Sequence, residues 1–212
     1  MSALLTYALQ FLFVLPAIIL HEIAHGYAAY MLGDPTAKRA KRLSLNPVRH
    51  IDPVGTLLLP AVLLLASGGR AAFGYAKPVP VNPSYFKNYR VGFFITAIAG
   101  PATNVALAAI SSVAARMVDP SSIAFLLLVS FAQLNLVLVF FNLIPIPPLD
   151  GSRVIPLFLS DSGMRKFAQI EQYGFGILMV LLWGVPTLLH VDPIGVYLDL
   201  TVDPILRLLL GA

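Results

Sequence analysis

Five stretches of this chain carry no Asp, Glu, Lys or Arg: residues 1–20, 54–69, 91–115, 120–149 and 172–189. An apolar run of about 20 residues crosses a bilayer core as a helix, the form in which its backbone polar groups are satisfied internally. The pattern predicts helix 1 over 3–32, helix 2 over 91–117, helix 3 over 122–144 and helix 4 over 172–189. Gly33-Asp34-Pro35 stops the first, because glycine accepts the terminal turn and proline cannot continue it. Residues 54–66 are the exception. Ser67-Gly68-Gly69 ends them short of the ~30 Å core, so they read as a re-entrant element. The prolines of Phe73-Gly74-Tyr75-Ala76-Lys77-Pro78-Val79-Pro80-Val81 then exclude a helix and fit an edge strand or extended loop. Residues 193–210 mix Asp199, Asp203 and Arg207 into apolar sequence, as an interfacial segment does.

The expected fold is an all-α integral membrane protein. It is a polytopic helix bundle of about four to five spans, with a short re-entrant or β-strand element after helix 1. Residues 1–212 form one membrane-embedded domain, with a core over 1–156 and a C-terminal helix and interfacial tail over 171–212.

Composition agrees with that picture: 58% of residues are hydrophobic and 11% charged, against roughly 25% charged in a soluble domain. Residues 1–20 lack the basic start and small-residue cleavage site of a signal peptide, and read as a retained helix. The absence of cysteine excludes disulfides, thiolate metal sites and a cysteine nucleophile. A net charge of +4 raises nucleic acid as a partner, but its distribution points to the lipid bilayer instead. If 54–66 re-enters, twelve of the fourteen Lys and Arg share one face, which the positive-inside bias makes cytoplasmic. Only Arg116 and Arg207 then lie opposite.

The chemistry sits in His21-Glu22-Ile23-Ala24-His25. Residues four apart on a helix project from one face, so the two imidazoles are able to share an ion, with Glu22 beside them. In that arrangement two His hold zinc, and a Glu that is not a ligand takes a proton from water. Two His and a Glu in an apolar helix cost free energy in a membrane, and such residues usually face an interior cavity and act there. Catalytic zinc takes three protein ligands, and the candidates for the third are His50, Asp52, Asp150, His190 and Asp192. Loop positions favour solvated or capping roles for His50 and Asp52, and interfacial ones for His190 and Asp192. Asp150 stands apart, because Pro145, Pro147 and Pro148 unwind the chain just before it, and non-helical backbone at membrane depth needs a protein or water environment. Helix 1 runs toward the basic face, with His21 roughly 27 Å from its start, and helix 3 ends on the same side.

HEIAH in the first helix, GPATN at Gly100 to Asn104, and NLIPIPPLDG at Asn142 to Gly151 occur in this order, with FGYAKPVPVNP between the first two. Together they resemble the site-2 proteases, intramembrane zinc metallopeptidases of the M50 kind, over roughly residues 10–156. The resemblance implies one Zn2+ per chain held by His21, His25 and Asp150, with Glu22 as general base. It also implies that Asn142 helps hold the scissile carbonyl or its oxyanion. Ser152 stands where many members have a second Gly, and neither a PDZ insertion nor a CBS domain is expected. The implied activity is hydrolysis in or near the transmembrane segments of membrane proteins or leftover signal peptides, in a multi-pass cell-membrane protein with its site near the cytoplasmic side. Gly74, Tyr75, Val79 and Val81 are candidates to receive an unwound substrate as an added strand. Asn104 has the simpler reading of a hydrogen bond between helices. The competing class is a metal-ion or proton transporter built on the same His, Glu and Asp residues. Substrate and oligomeric state are not legible.

Overall fold

The computed structural model describes residues 3–66 and 74–211, with side chains over 13–65 and 74–211. Residues 67–73 carry the expected end of the re-entrant element, the Arg70 charge and Phe73, and lie outside the described residues. The described chain is all-helical apart from loops and turns, and contacts divide it into two compact units, Met1–Phe86 and Lys87–Ala212.

In the first unit, α1 (Ala3–Met31) runs for 29 residues through Pro16. Ala17, His21, His25 and Ala29, spaced four apart, form a single buried row along it. The helix ends in a Schellman turn: Gly33 takes φ 100°, its N–H donates to the Tyr30 carbonyl, and Asp34 N–H donates to Ala29. The short α2 (Thr36–Arg39) ends the same way, with Lys41 at φ 55° and Arg42 N–H donating to Ala37. Past a π turn at Pro53–Leu58, α3 (Leu59–Ala66) completes an apolar helix too short to cross a bilayer core.

Residues 74–82 are extended, but no strand occurs among the described residues. The inward N–H groups bond to loops and side chains, with Tyr75 donating to the Gly55 carbonyl at 3.0 Å and Lys77 to the His50 carbonyl at 2.9 Å. Pro78 and Pro80 alternate with these positions, so the other edge is poor in donors.

The second unit is built on α4 (Tyr89–Ala115) and α5 (Ile123–Asn142), the two described helices long and apolar enough to cross a membrane. Asn104 and Asn135 are fully buried on them, and Asn104 Nδ2 donates to Asn135 Oδ1 at 2.7 Å. The amide pair is the interhelical bond expected of Asn104. After α5 the chain turns through a cis Pro147–Pro148 peptide into a 3-10 helix at Asp150–Leu157.

Next comes α6 (Asp161–Glu171), capped by Ser160. It has no counterpart in the apolar pattern because its sequence, DSGMRKFAQIE, is largely polar. The predicted helix 4 is α7 (Gly174–Met179), a π turn at Val180–Gly184 and α8 (Val185–Leu189), bent 57° from α6. If the bent pair counts as one span, it is a third.

The tail is helix α9 (Pro193–Leu210). Its Val202 packs against Ala108 and Leu136, and Ile194 against Leu149 and Leu178. Asp199, Asp203 and Arg207 recur every fourth residue and are exposed, leaving the apolar stripe to pack.

Candidate metal centre

The straight row on α1 brings the two imidazoles together with their Nε2 atoms 3.0 Å apart, ring centroids 4.6 Å apart and planes at 86°. Both side chains are buried, and a Glu22 carboxylate oxygen completes a group whose candidate ligand atoms all lie within 4.8 Å of one another. Two lone pairs aimed at each other repel unless a proton or a cation lies between them. Ligands on a tetrahedral zinc at ~2.0–2.1 Å would stand about 3.3 Å apart, close to this spacing. The donor set fits zinc.

The extended segment reaches this group. Val79 N–H donates to Glu22 Oε2 at 2.8 Å, and Asn82 N–H donates to Asp34 Oδ2 at 2.6 Å. Two residues before Val79, the Lys77 carbonyl accepts from Nη2 of Arg42, itself buried. Burial lowers the Arg42 pKa, and the Glu22 charge nearby opposes the fall. Gly26, one turn beyond Glu22, lets the segment approach: a Cβ there would lie 2.7 Å from both Val79 Cγ1 and Leu43 Cδ2.

In the second unit Asp150 is buried, with Arg153 Nη1 3.8 Å from its Oδ1 and the Arg153 guanidinium 5.4 Å from the Phe93 ring centroid. Two glycines make the turn before it possible. A Cβ at Gly151 would lie 2.1 Å from the Leu143 carbonyl oxygen, and one at Gly174 would lie 2.4 Å from Pro147 Cβ. Ser152 Oγ donates to the Leu149 carbonyl at 2.7 Å, closing the turn. Asn142 is half-buried at the end of α5, where its Nδ2 donates back to Leu138 at 2.9 Å.

The other third-ligand candidates are otherwise engaged or exposed. His50 is buried rather than solvated, with Nε2 2.7 Å from the Ser44 carbonyl. A carbonyl only accepts, so Nε2 is the donor. Asp52 caps the π turn through the N–H groups of Val54 and Gly55 at 3.0 and 2.7 Å, and Asp192 caps α9 through Gly195 at 2.8 Å. His190 is exposed at φ 54°.

Comparison with known proteins gives the family. Residues 115–185 match the model described as Peptidase family M50. The chain is 40% identical over 187 residues to "Putative zinc metalloprotease YwhC" of Bacillus subtilis, covering 84% of this chain and 78% of that one. The chain belongs to peptidase family M50.

A second relative of this M50 chain is "Putative zinc metalloprotease Rip2" of Mycolicibacterium smegmatis, 33% identical over 79% of the chain and 64% of the relative. "Zinc metalloprotease MJ0392" of Methanocaldococcus jannaschii is 27% identical over 84% of the chain and 43% of its own length. No solved structure matches. Membership decides the class: the chain is a zinc metalloprotease rather than a transporter, and its His21-Glu22-His25 cluster fits the ion.

Three residues that shape the surroundings of the Glu22 segment in the first unit and of the Asp150 turn in the second were missed in the sequence reading: Arg42 and Gly26 in the one, and Gly174 in the other. Arg42 looked like one charge in a basic loop. Its one local signal is its place one residue beyond the αL position of a Schellman turn, where an apolar residue is usual. Gly26 and Gly174 lie on helices and gave no signal, because what they admit comes from distant sequence. Of the four substrate-strand candidates, Tyr75 and Val79 turn their N–H groups into the unit, to Gly55 and Glu22.

Proposed function

We propose that this chain is an intramembrane zinc metalloendopeptidase that hydrolyses peptide bonds in or near transmembrane segments of membrane proteins or leftover signal peptides. It is a multi-pass cell-membrane protein acting as a single membrane-embedded domain, with its site near the cytoplasmic side. The observation that carries the reading is the buried, convergent His21 and His25 pair on an apolar helix, with Glu22 held beside it by a backbone N–H.

In this reading His21, His25 and Asp150 hold one Zn2+. Asp150 is supported by its burial and by the capping roles of Asp52 and Asp192. The ion, when bound, supplies Lewis-acid polarisation of a carbonyl and acidifies water. Glu22 takes the proton from the attacking water and returns it to the leaving amine. With Oε2 held by Val79, Oε1 is the oxygen left for that proton. Asn142 steadies the scissile carbonyl or its oxyanion from the end of α5. A helical substrate unwinds before attack, because its carbonyls are hydrogen-bonded. It is received along segment 74–81, where Gly74 and Val81 flank an outward edge rich in carbonyls.

Purified Glu22→Gln protein tests the base. Zinc per chain, measured by mass spectrometry, stays at the wild-type value, and cleavage of a transmembrane peptide in proteoliposomes falls by ~10²–10⁴-fold. Wild-type cleavage by the variant refutes the assignment. Product mapping that puts cleavage only in soluble peptides refutes the intramembrane part.

A further inference from the structure

The Glu22 carboxylate of the metal cluster is tied to a distant stretch of chain through a backbone donor. Val79 N–H gives its hydrogen to Oε2 at 2.8 Å from a segment with no helical or sheet ladder of its own. That segment is fastened at both ends by residues in equivalent local positions. Asp34 and Arg42 each follow the αL residue of a Schellman turn, where an apolar side chain is the norm. Here both are charged and buried, at 0% and 6% exposure, and each bonds the segment's backbone: Asp34 accepts from Asn82 N–H, and Arg42 donates to the Lys77 carbonyl. Lys77 lies two residues from Val79, so its carbonyl and the Val79 N–H point to the same side of the extended chain. Gly26 adds the close approach that lets the segment lie against α1 one turn beyond Glu22.

We propose that Arg42 is a positioning residue for the general base: it anchors the Lys77–Val79 strap so that the Val79 N–H fixes one oxygen of Glu22 and leaves the other to receive the proton. The proposal rests on Glu22 being the base. A buried guanidinium is suited to this task, since it stays charged and its planar fork loses little freedom in bonding a carbonyl. Its charge also lies close enough to Glu22 to interact with it.

The test uses full-length protein in proteoliposomes. Arg42→Ala and a backbone ester at Val79, which removes the N–H and keeps every side chain, each lower kcat by ~10–100-fold, as loss of a charge-assisted hydrogen bond does. KM stays within about two-fold and zinc per chain is unchanged. Arg42→Lys, which keeps one donor for the Lys77 carbonyl, recovers part of kcat. The readout independent of activity is the Val79 amide proton, seen by labelling proline carbonyls with 13C and valine with 15N and assigned with Val79→Ile. It shifts upfield in Arg42→Ala and Glu22→Gln, and less in Arg42→Lys. If Arg42→Ala does not fold, the ester variant decides. Full activity in Glu22→Gln refutes the base reading itself. An inactive Glu22→Gln with wild-type kcat in Arg42→Ala or the ester overturns the strap alone. A rise in kcat overturns it too, because the strap then obstructs the site, as does loss of zinc from Arg42→Ala.

Discussion

Gly151→Ala is the sharpest probe of the turn that presents Asp150. The added Cβ would lie 2.1 Å from the Leu143 carbonyl oxygen, 2.4 Å from its carbon and 2.8 Å from the Ile144 oxygen, all backbone atoms. Cβ contacts under 3.0 Å essentially never occur, so the start of the 3-10 helix has to move off the Leu143–Ile144 backbone by about 1 Å. The side-chain rotation that relieves most overpacking is of no use against main chain. Leu149 is buried and Ser152 is bonded to its carbonyl, so Asp150 moves with the turn. Overpacking of this kind costs roughly 1–3 kcal/mol of stability. A displacement of about 1 Å at a catalytic constellation costs on the order of 10²-fold in rate.

The assay is zinc affinity by chelator competition, together with peptide cleavage in proteoliposomes. The expected result is weaker zinc retention and the rate loss above. Gly176→Ala is the control: nothing lies within 4 Å of its added Cβ, and a helix-interior Gly→Ala change stabilises by about 0.5–1 kcal/mol. Wild-type zinc affinity and rate in Gly151→Ala refute the reasoning that the Leu143–Gly151 contact sets the position of Asp150.

Two further outcomes follow from groups outside the metal cluster. Asn104→Ala leaves buried Asn135 Oδ1 without the donor now 2.7 Å away, and lowers stability in micelles by ~1–2 kcal/mol. The double variant with Asn135→Ala loses less than the sum of the single losses, and an additive result contradicts the pair. Asp119, in the loop before α5, accepts both the N–H and the Oγ–H of Ser121 at 2.8 and 2.7 Å, and these bonds lower its pKa. A lowered folded-state pKa means the stabilisation is fully present above the unfolded value near ~4 and is lost as pH falls through the folded value. The stability gap between wild type and Asp119→Ala therefore closes on acidification below about pH 4, and a gap that widens there reverses the sign.

The chemistry of the first unit was legible because it is local. HEIAH needs only a helix to align its two imidazoles, and charge-free runs of bilayer length need only a membrane to become helices. The three prolines before Asp150 announced an unwound segment for the same reason, since proline restricts its own backbone wherever it occurs. Polar helices were harder to read. α6 carries no apolar run, and in α9 the fourfold spacing of Asp199, Asp203 and Arg207 is hidden within an apolar average and shows only in the packing of Val202 on Ala108 and Leu136.

Tertiary structure alone decided what holds the chemistry in place. Arg42 and Lys77 are 35 residues apart, and Glu22 and Val79 are 57 apart. No periodicity links such positions, so nothing in the sequence paired a basic loop residue with the Lys77 carbonyl or a proline-flanked valine with the Glu22 carboxylate. The glycines carry the same lesson: Gly26, Gly151 and Gly174 are required by atoms that approach them through folding, which residue type and neighbouring sequence do not encode. Local sequence set the reactive groups through backbone geometry, and long-range packing set their positions because close contact exists only after the chain has folded.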